Sequence, residues 1–500
     1  MKKNLPTIVA ALFLVFLAMV VYGHSVGESL NRDEHQFLAP ALLLAREGLL
    51  PYRDVALFHQ PYTILLQAAL AGPGDSPLLV ARLISATASF LTALLIFGIA
   101  IHAAKNQPPW IRLGGAVALV TLWFGSELFT DSSGRIWNHD LPTLFALLGF
   151  SIVLIVENPR SWHWLLAGLF AGLAVGGRLT MAPFAALLPL SALLCLRWPF
   201  RRRLTLGLLG GLGVFLAFLP SLWLYLQSPA GYLFGNFEFP RLPLLAEDNE
   251  RILKTISPWR KLRFFFKEVF RDNLPLALAL IGVLVFHFRA VRFDKKTALT
   301  WIFLALALLA GAFAPTRYEM QHFYIVAPLA ALLAAWHLRK CPRWLPLVLL
   351  AASLLNLFWA RDVLKTAGQL FRPDEWDISR LHKDALDLRR HVTTGKILTL
   401  APITPMEAGL SVYPQLATGR FGWRFGYLVA PDRRQKLGLL AETELKTVLD
   451  ADPPAGILTG VEDEKLEKAF LRYAQRRNYR PVAISDDATL WVRQPPASAP

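Results

Sequence analysis

The chain has 500 residues, 54% of them hydrophobic and only 18% charged, with a net charge of +16. Such a composition is too apolar for a water-soluble protein of several domains and fits a polytopic membrane protein with a polar tail. The basic surplus lies mostly in short loops between apolar runs, which points to anionic lipid as the partner and away from nucleic acid.

Lys2-Lys3 precede an apolar run from about Thr7 to Gly23. No clear small-residue cleavage site follows it and a long polytopic region does, so it reads as an uncleaved first transmembrane helix rather than a signal peptide. Further runs long enough for a ~30 Å hydrocarbon core start near Leu78, Arg112, Asp140, Trp162, Pro183, Leu204, Leu274, Ala298, Phe323 and Trp344, predicting eleven crossings. Lys105, Arg112, Arg160, Arg197, Arg201 to Arg203, Arg289 to Lys296 and Arg339 to Arg343 then share the side of Lys2-Lys3, expected to be cytoplasmic. Asp33, Glu34, Asp54, Glu127, Asp131, Asp140 and Glu319 face the other side. One basic segment, from about Gln227 to Asp272, breaks the rule and reads either as an amphipathic helix on anionic headgroups or as a solvated loop.

An odd number of crossings puts the tail outside. Its short β-like runs (Lys396 to Leu400, Gly456 to Thr459, Val482 to Ser485, Thr489 to Arg493) alternate with helical ones (Glu442 to Leu449, Asp463 to Arg476). The expected architecture is therefore a transmembrane helical domain, residues 1–360, and a small extracytoplasmic α/β domain, residues 361–500. Cys195 and Cys341 fall on the cytosolic side, where no disulfide is expected, and no internal repeat is visible.

The polar residues concentrate in the first external loop, residues 24–77. Asn31 followed by Glu34 is a capping-box pattern, which by itself accounts for Asp33 and Glu34; Asp33 can equally serve as a general base. Pro40 would kink the following helix and Gly48 would end it. Asp54 and His59-Gln60-Pro61 close the loop. His59 reads as an interfacial histidine or, with Asp33 and Asp54, as part of a divalent-metal site, although the spacing matches no dedicated metal motif.

In the second external loop Asp140 opens the fourth crossing, either as an N-cap or as a functional acid. Arg135 and Trp137 there could hold phosphate and stack on a ring, or form an interfacial belt. Arg178 and Arg317, the latter ahead of His322 and Tyr324, face the same side as phosphate ligands or headgroup anchors. No Walker-type or dinucleotide-binding loop occurs, so an external reaction would need its activated group delivered on a lipid.

These residues resemble the GT-C class of integral membrane glycosyltransferases, in particular protein O-mannosyltransferases and lipid A aminoarabinose transferases. The resemblance rests on Asp33-Glu34 after the first helix, the Gly-x-x-Pro-Tyr turn from Gly48 to Tyr52, His59-Gln60-Pro61, Asp140, Arg317, Tyr324 and Pro328. It covers residues 1–360 in layout and the tail only in position and size. It implies inverting transfer from a polyprenyl-phosphate sugar to a lipid, glycan or protein acceptor, outside the plasma (inner) membrane. Asp33 and Glu34 match the first-loop catalytic acids and Asp140 the second acid; Arg317, Arg178 and Arg135 would meet the donor phosphate, and Asp54, His59, His322 and Tyr324 the substrates. His59-Gln60 departs from the acidic-basic pair of the aminoarabinose transferases, which leaves donor sugar, acceptor and any metal open. The rival readings are a transporter or flippase of polyprenyl-linked glycans, which predicts matched broken helices, and a non-catalytic membrane scaffold.

Overall fold

The computed structural model describes residues 4–156, 158–194, 198–245, 257–290, 295–315 and 318–494. Cys195 and Arg317 lie outside them. The chain forms two compact units, one of residues 1–25, 85–220 and 250–371, the other of residues 26–84, 221–249 and 372–500.

The first unit is helical. Its core joins large buried side chains such as Trp123, Phe129, Phe150 and Phe184 to many alanines, among them Ala116, Ala171 and Ala331. Among the described residues of the whole chain, four helices are long and apolar enough to cross a membrane: Leu5–Gly27, Pro77–Ala103, Phe200–Gln227 and Met320–Lys340. Two bent helix pairs raise the number to six, against the eleven crossings expected from apolar runs. The difference has a geometric cause. Helices such as Pro109–Phe124 and Asp140–Ile155 have 16 residues each, about 24 Å at 1.5 Å per residue, short of a ~30 Å core. The apolar runs near Arg112 and Asp140 thus form helices shorter than the runs suggest. Leucine and phenylalanine on Phe200–Gln227, including Leu208, Phe215 and Leu226, remain more than half exposed, as lipid-facing side chains would.

The second unit gathers the first loop, the segment after Pro220 and the tail. Helix His35–Glu47 contains Pro40 and ends on Gly48 at φ 69°, as its sequence predicts. Tyr52 also takes a positive φ of 68°, an uncommon conformation for an aromatic residue. Its hydroxyl donates to the carbonyl of His59 and accepts from Asn236. Gln60 donates to Asn236 (2.9 Å) and accepts from the Tyr232 hydroxyl (2.9 Å), so every hydrogen-bonding atom of this buried chain finds a partner. Phe58 stacks on Phe239 beside the network. In the segment expected to lie on headgroups, Tyr232, Phe234, Asn236 and Phe239 are therefore buried protein contacts. Farther along the same segment, beyond the undescribed residues, Trp259 and Phe266 are exposed.

The tail carries a five-stranded sheet of β1 (Lys396–Leu398), β2 (Ser411–Val412), β3 (Gly456–Thr459), β4 (Arg480–Ala483) and β5 (Thr489–Val492), in the order β2-β1-β3-β5-β4. β1 runs parallel to β2 and β3, while β5 pairs antiparallel with β3 and β4. β1, β3 and β5 fall on the predicted runs and β4 begins two residues ahead of its run; two-residue β2 is too short to show any alternation. Helices Glu442–Ala451 and Glu464–Arg476 lie where expected, and Phe470 and Tyr473 of the latter enter the core with Ile457.

Two predictions follow the packing of this unit. A Cβ on Gly235 would collide with the carbonyl oxygen of Leu57, so Gly235→Ala should lower stability by about 1–3 kcal/mol in detergent thermal unfolding. Burial pushes the Glu467 carboxyl up to about 7 from an ordinary 4.5. Its contribution to stability is therefore complete below pH 4.5 and lost as pH rises through about 7. Glu467→Gln should gain stability relative to the parent protein across that interval, read as the difference of their unfolding midpoints.

Candidate active site

The turn carrying Asp33 is built by its own sequence. Asn31 Oδ1 accepts from the Asp33 amide at 2.9 Å and Glu34 Oε1 accepts from the Asn31 amide at 2.8 Å, closing the capping box around the 3-10 turn Arg32–Glu34. Asp33 is half-buried, whereas Glu34 is fully buried. The Arg82 guanidinium, itself at 0% exposure, donates to Glu34 Oε1 at 2.7 Å and to the Ser29 carbonyl at 3.0 Å. A buried carboxylate held this way serves to orient the turn, and the neighbouring Asp33 is the carboxylate left nearer the surface.

The other first-loop candidates have structural partners. Asp54 accepts from the Leu50 amide (2.9 Å) and from Arg53 (2.7 Å), and the hydrogen bond from Arg53 holds its carboxyl below the usual range. His59 shares a 2.9 Å hydrogen bond with Gln36 and stacks on Phe37. Among the described residues no three His, Cys, Asp or Glu side chains are gathered closely enough to hold a metal ion.

In the helical unit, Asp140 is 2% exposed and accepts three hydrogen bonds, from Ser133 Oγ (3.0 Å), the Gly134 amide (2.8 Å) and the Tyr324 hydroxyl (2.5 Å). It is the first residue of helix Asp140–Ile155 rather than its N-cap, and it reaches back to pin the preceding loop. Ser89 extends the network to Ser133 at 2.7 Å. Arg178 ends helix Ser161–Gly177, is buried, and hydrogen-bonds His139. With Thr143, Thr180, His322 and Ile325 it lines a small pocket, so Arg178 and His322 are brought together. Arg135 lies over the Trp137 ring at 5.1 Å, a cation–π contact.

The expectation treated Glu34 and Asp140 as reacting acids; both are buried and hydrogen-bonded within the protein. Burial and partner cannot be read from spacing, since Arg82 stands 48 residues from Glu34 and Tyr324 stands 184 from Asp140. Arg82 had an available signal: an arginine inside an apolar run is costly unless paired. Replacing it with Met should strand the Glu34 charge and destabilise the protein by about 3–5 kcal/mol. Adding Glu34→Gln should recover part of that loss in thermal unfolding.

Neither a protein-family model nor a curated protein matches the sequence. Solved structures do resemble the chain. ArnT from Cupriavidus metallidurans bound to undecaprenyl phosphate aligns over 98% of this chain and 99% of its own, with 15% identity and a TM-score of 0.61. The same protein in the apo state aligns over 96% and 97%, with 15% identity and a TM-score of 0.59. With its long apolar helices, the chain is a membrane protein whose fold is that of ArnT.

Proposed function

We propose that the chain is a membrane glycosyltransferase that moves a sugar from a polyprenyl-phosphate carrier to a lipid, glycan or protein acceptor. The observation carrying this reading is the likeness, along nearly the whole chain, to an ArnT structure that holds undecaprenyl phosphate. The reading puts the reaction on the extracytoplasmic face of the plasma (inner) membrane, with a cytoplasmic amino terminus and residues 361–500 outside.

Asp33 is the proposed general base. It takes the proton of the acceptor as the acceptor atom bonds to the anomeric carbon and the bond from that carbon to the phosphate oxygen breaks, inverting the centre. The departing polyprenyl phosphate carries the negative charge, and a guanidinium is suited to it because its paired donors match the phosphate oxygens. Arg317 is assigned that contact, with Arg178 as a second cation; Arg178 and His322 line one pocket. Glu34, Asp140 and Tyr324 keep their segments in place. Asp54 and His59 hold the loop, and no metal is assigned.

Purified protein incubated with labelled polyprenyl-phosphate sugars and membrane extracts should yield a labelled acceptor. Asp33→Asn should reduce turnover by roughly 10²- to 10⁴-fold without loss of membrane insertion. Near-normal transfer by this variant would remove Asp33 from the reaction, and absence of transfer from every donor would favour transport.

A further inference from the structure

Three ionisable groups of the tail and first loop meet beside the turn that carries Asp33. Glu462 lies just after β3, with a carboxylate that has no exposed surface. Two guanidiniums approach it, Arg32 at 3.5 Å and Arg420 at 3.9 Å. Arg32 is the residue immediately before Asp33, and it opens the same 3-10 turn.

The position of Glu462 is determined locally. Gly460 adopts φ +96°, and a Cβ there would run into the Asp487 carbonyl, so the chain leaves β3 through a turn suited to glycine. Glu467, in the first turn of helix Glu464–Arg476, accepts from the Gly460 amide at 2.6 Å and from the Glu462 amide at 3.3 Å. The loop is thus pinned to the helix that follows it, and its carboxylate faces the two arginines as an ion pair without a hydrogen bond from either.

The place in the sheet is also informative. β1 is followed by β2 on one side, while the chain returns through β3 on the other, so the carboxyl ends of β1 and β3 form the switch point where open α/β sheets take ligands. Gly419 lies against the Leu400 carbonyl just beyond β1, and the His35 side chain approaches that glycine. Arg420 follows directly. The sheet edge that would ordinarily receive a soluble ligand is instead in contact with the start of the first loop.

Electrostatics agree with this geometry. Burial pushes the Glu462 carboxyl up, Arg420 and Arg32 draw it down, and Asp33 is close enough to add to the upward push. Burial and, less strongly, Arg420 lower His35 to about 3, so its ring is neutral.

We infer that Glu462 is a positioning residue for the Asp33 turn: its buried carboxylate, held by the post-β3 loop, anchors Arg32 and Arg420 and thereby sets where the Asp33 carboxylate points. The catalytic consequence rests on the proposed function, in which Asp33 is the base; the restraint itself does not. On this inference the tail supplies part of the active site's geometry without touching substrate.

The test uses the full-length protein and two readouts. In Glu462→Gln, hydrogen exchange of the amides of residues 31–35 should accelerate while those of β1, β3 and β5 keep their protection. In transfer assays kcat should fall by about 10- to 100-fold, as expected for a small misplacement of a reacting group, with KM for the donor little changed. Should Glu462→Gln fail to fold, Arg32→Gln, on a side chain that is half exposed, should produce the same pattern, and Arg32→Lys should restore most of kcat. Unchanged exchange at residues 31–35, or an unaltered kcat in an active protein whose Asp33→Asn variant is dead, would overturn the inference. Faster exchange in a protein that transfers no sugar would leave the restraint standing and reject the proposed function instead.

Discussion

A carboxylate with no exposed surface persists in a folded chain only if its charge is met, and the first loop is arranged around one such group. Glu34 receives Arg82 at 2.7 Å and the Asn31 amide at 2.8 Å, so one side chain closes the capping box and ties it to the start of helix Pro77–Ala103. Because both partners have lost their water, neither can move without stranding the other. The backbone that carries Asp33 is held by this constraint, since its amide is bound to Asn31 within the same turn.

Buried acids recur as fasteners elsewhere. Glu407 accepts from the Leu78 amide at 3.0 Å and shares a hydrogen bond with His382 at 2.9 Å. It satisfies an otherwise orphaned amide at the amino end of a long apolar helix, where a negative group is favoured by the helix dipole. Glu462 meets Arg32 and Arg420, and Asp140 pins Ser133, Gly134 and Tyr324. Glu34, Glu407, Glu462 and Asp140 are buried whereas Asp33 is half-buried, and a base must reach an acceptor.

Much of the architecture was legible in sequence. The apolar runs announced a membrane protein, and the Asn31 capping box, the Gly48 helix stop and four of the five strands appear where local patterns put them. These features depend on neighbours within a few residues. The crossing count was less legible, because the length of an apolar run does not fix the length of the helix that forms in it. The segment after Gln227 was read through its basic and aromatic composition, yet its early part is held by Tyr52, Gln60 and Phe58, distant in sequence.

By itself the sequence determined the class of the protein, the local shape of the first loop and the residue types available for chemistry, because these follow from composition, periodicity and short-range hydrogen bonds. Only the tertiary structure decided which acids are buried against protein donors, that His59 bonds Gln36 and stacks on Phe37, and that a carboxylate from the tail meets the arginine beside Asp33. Burial and charge pairing arise when residues tens to hundreds of positions apart are brought into contact, and no spacing rule encodes that.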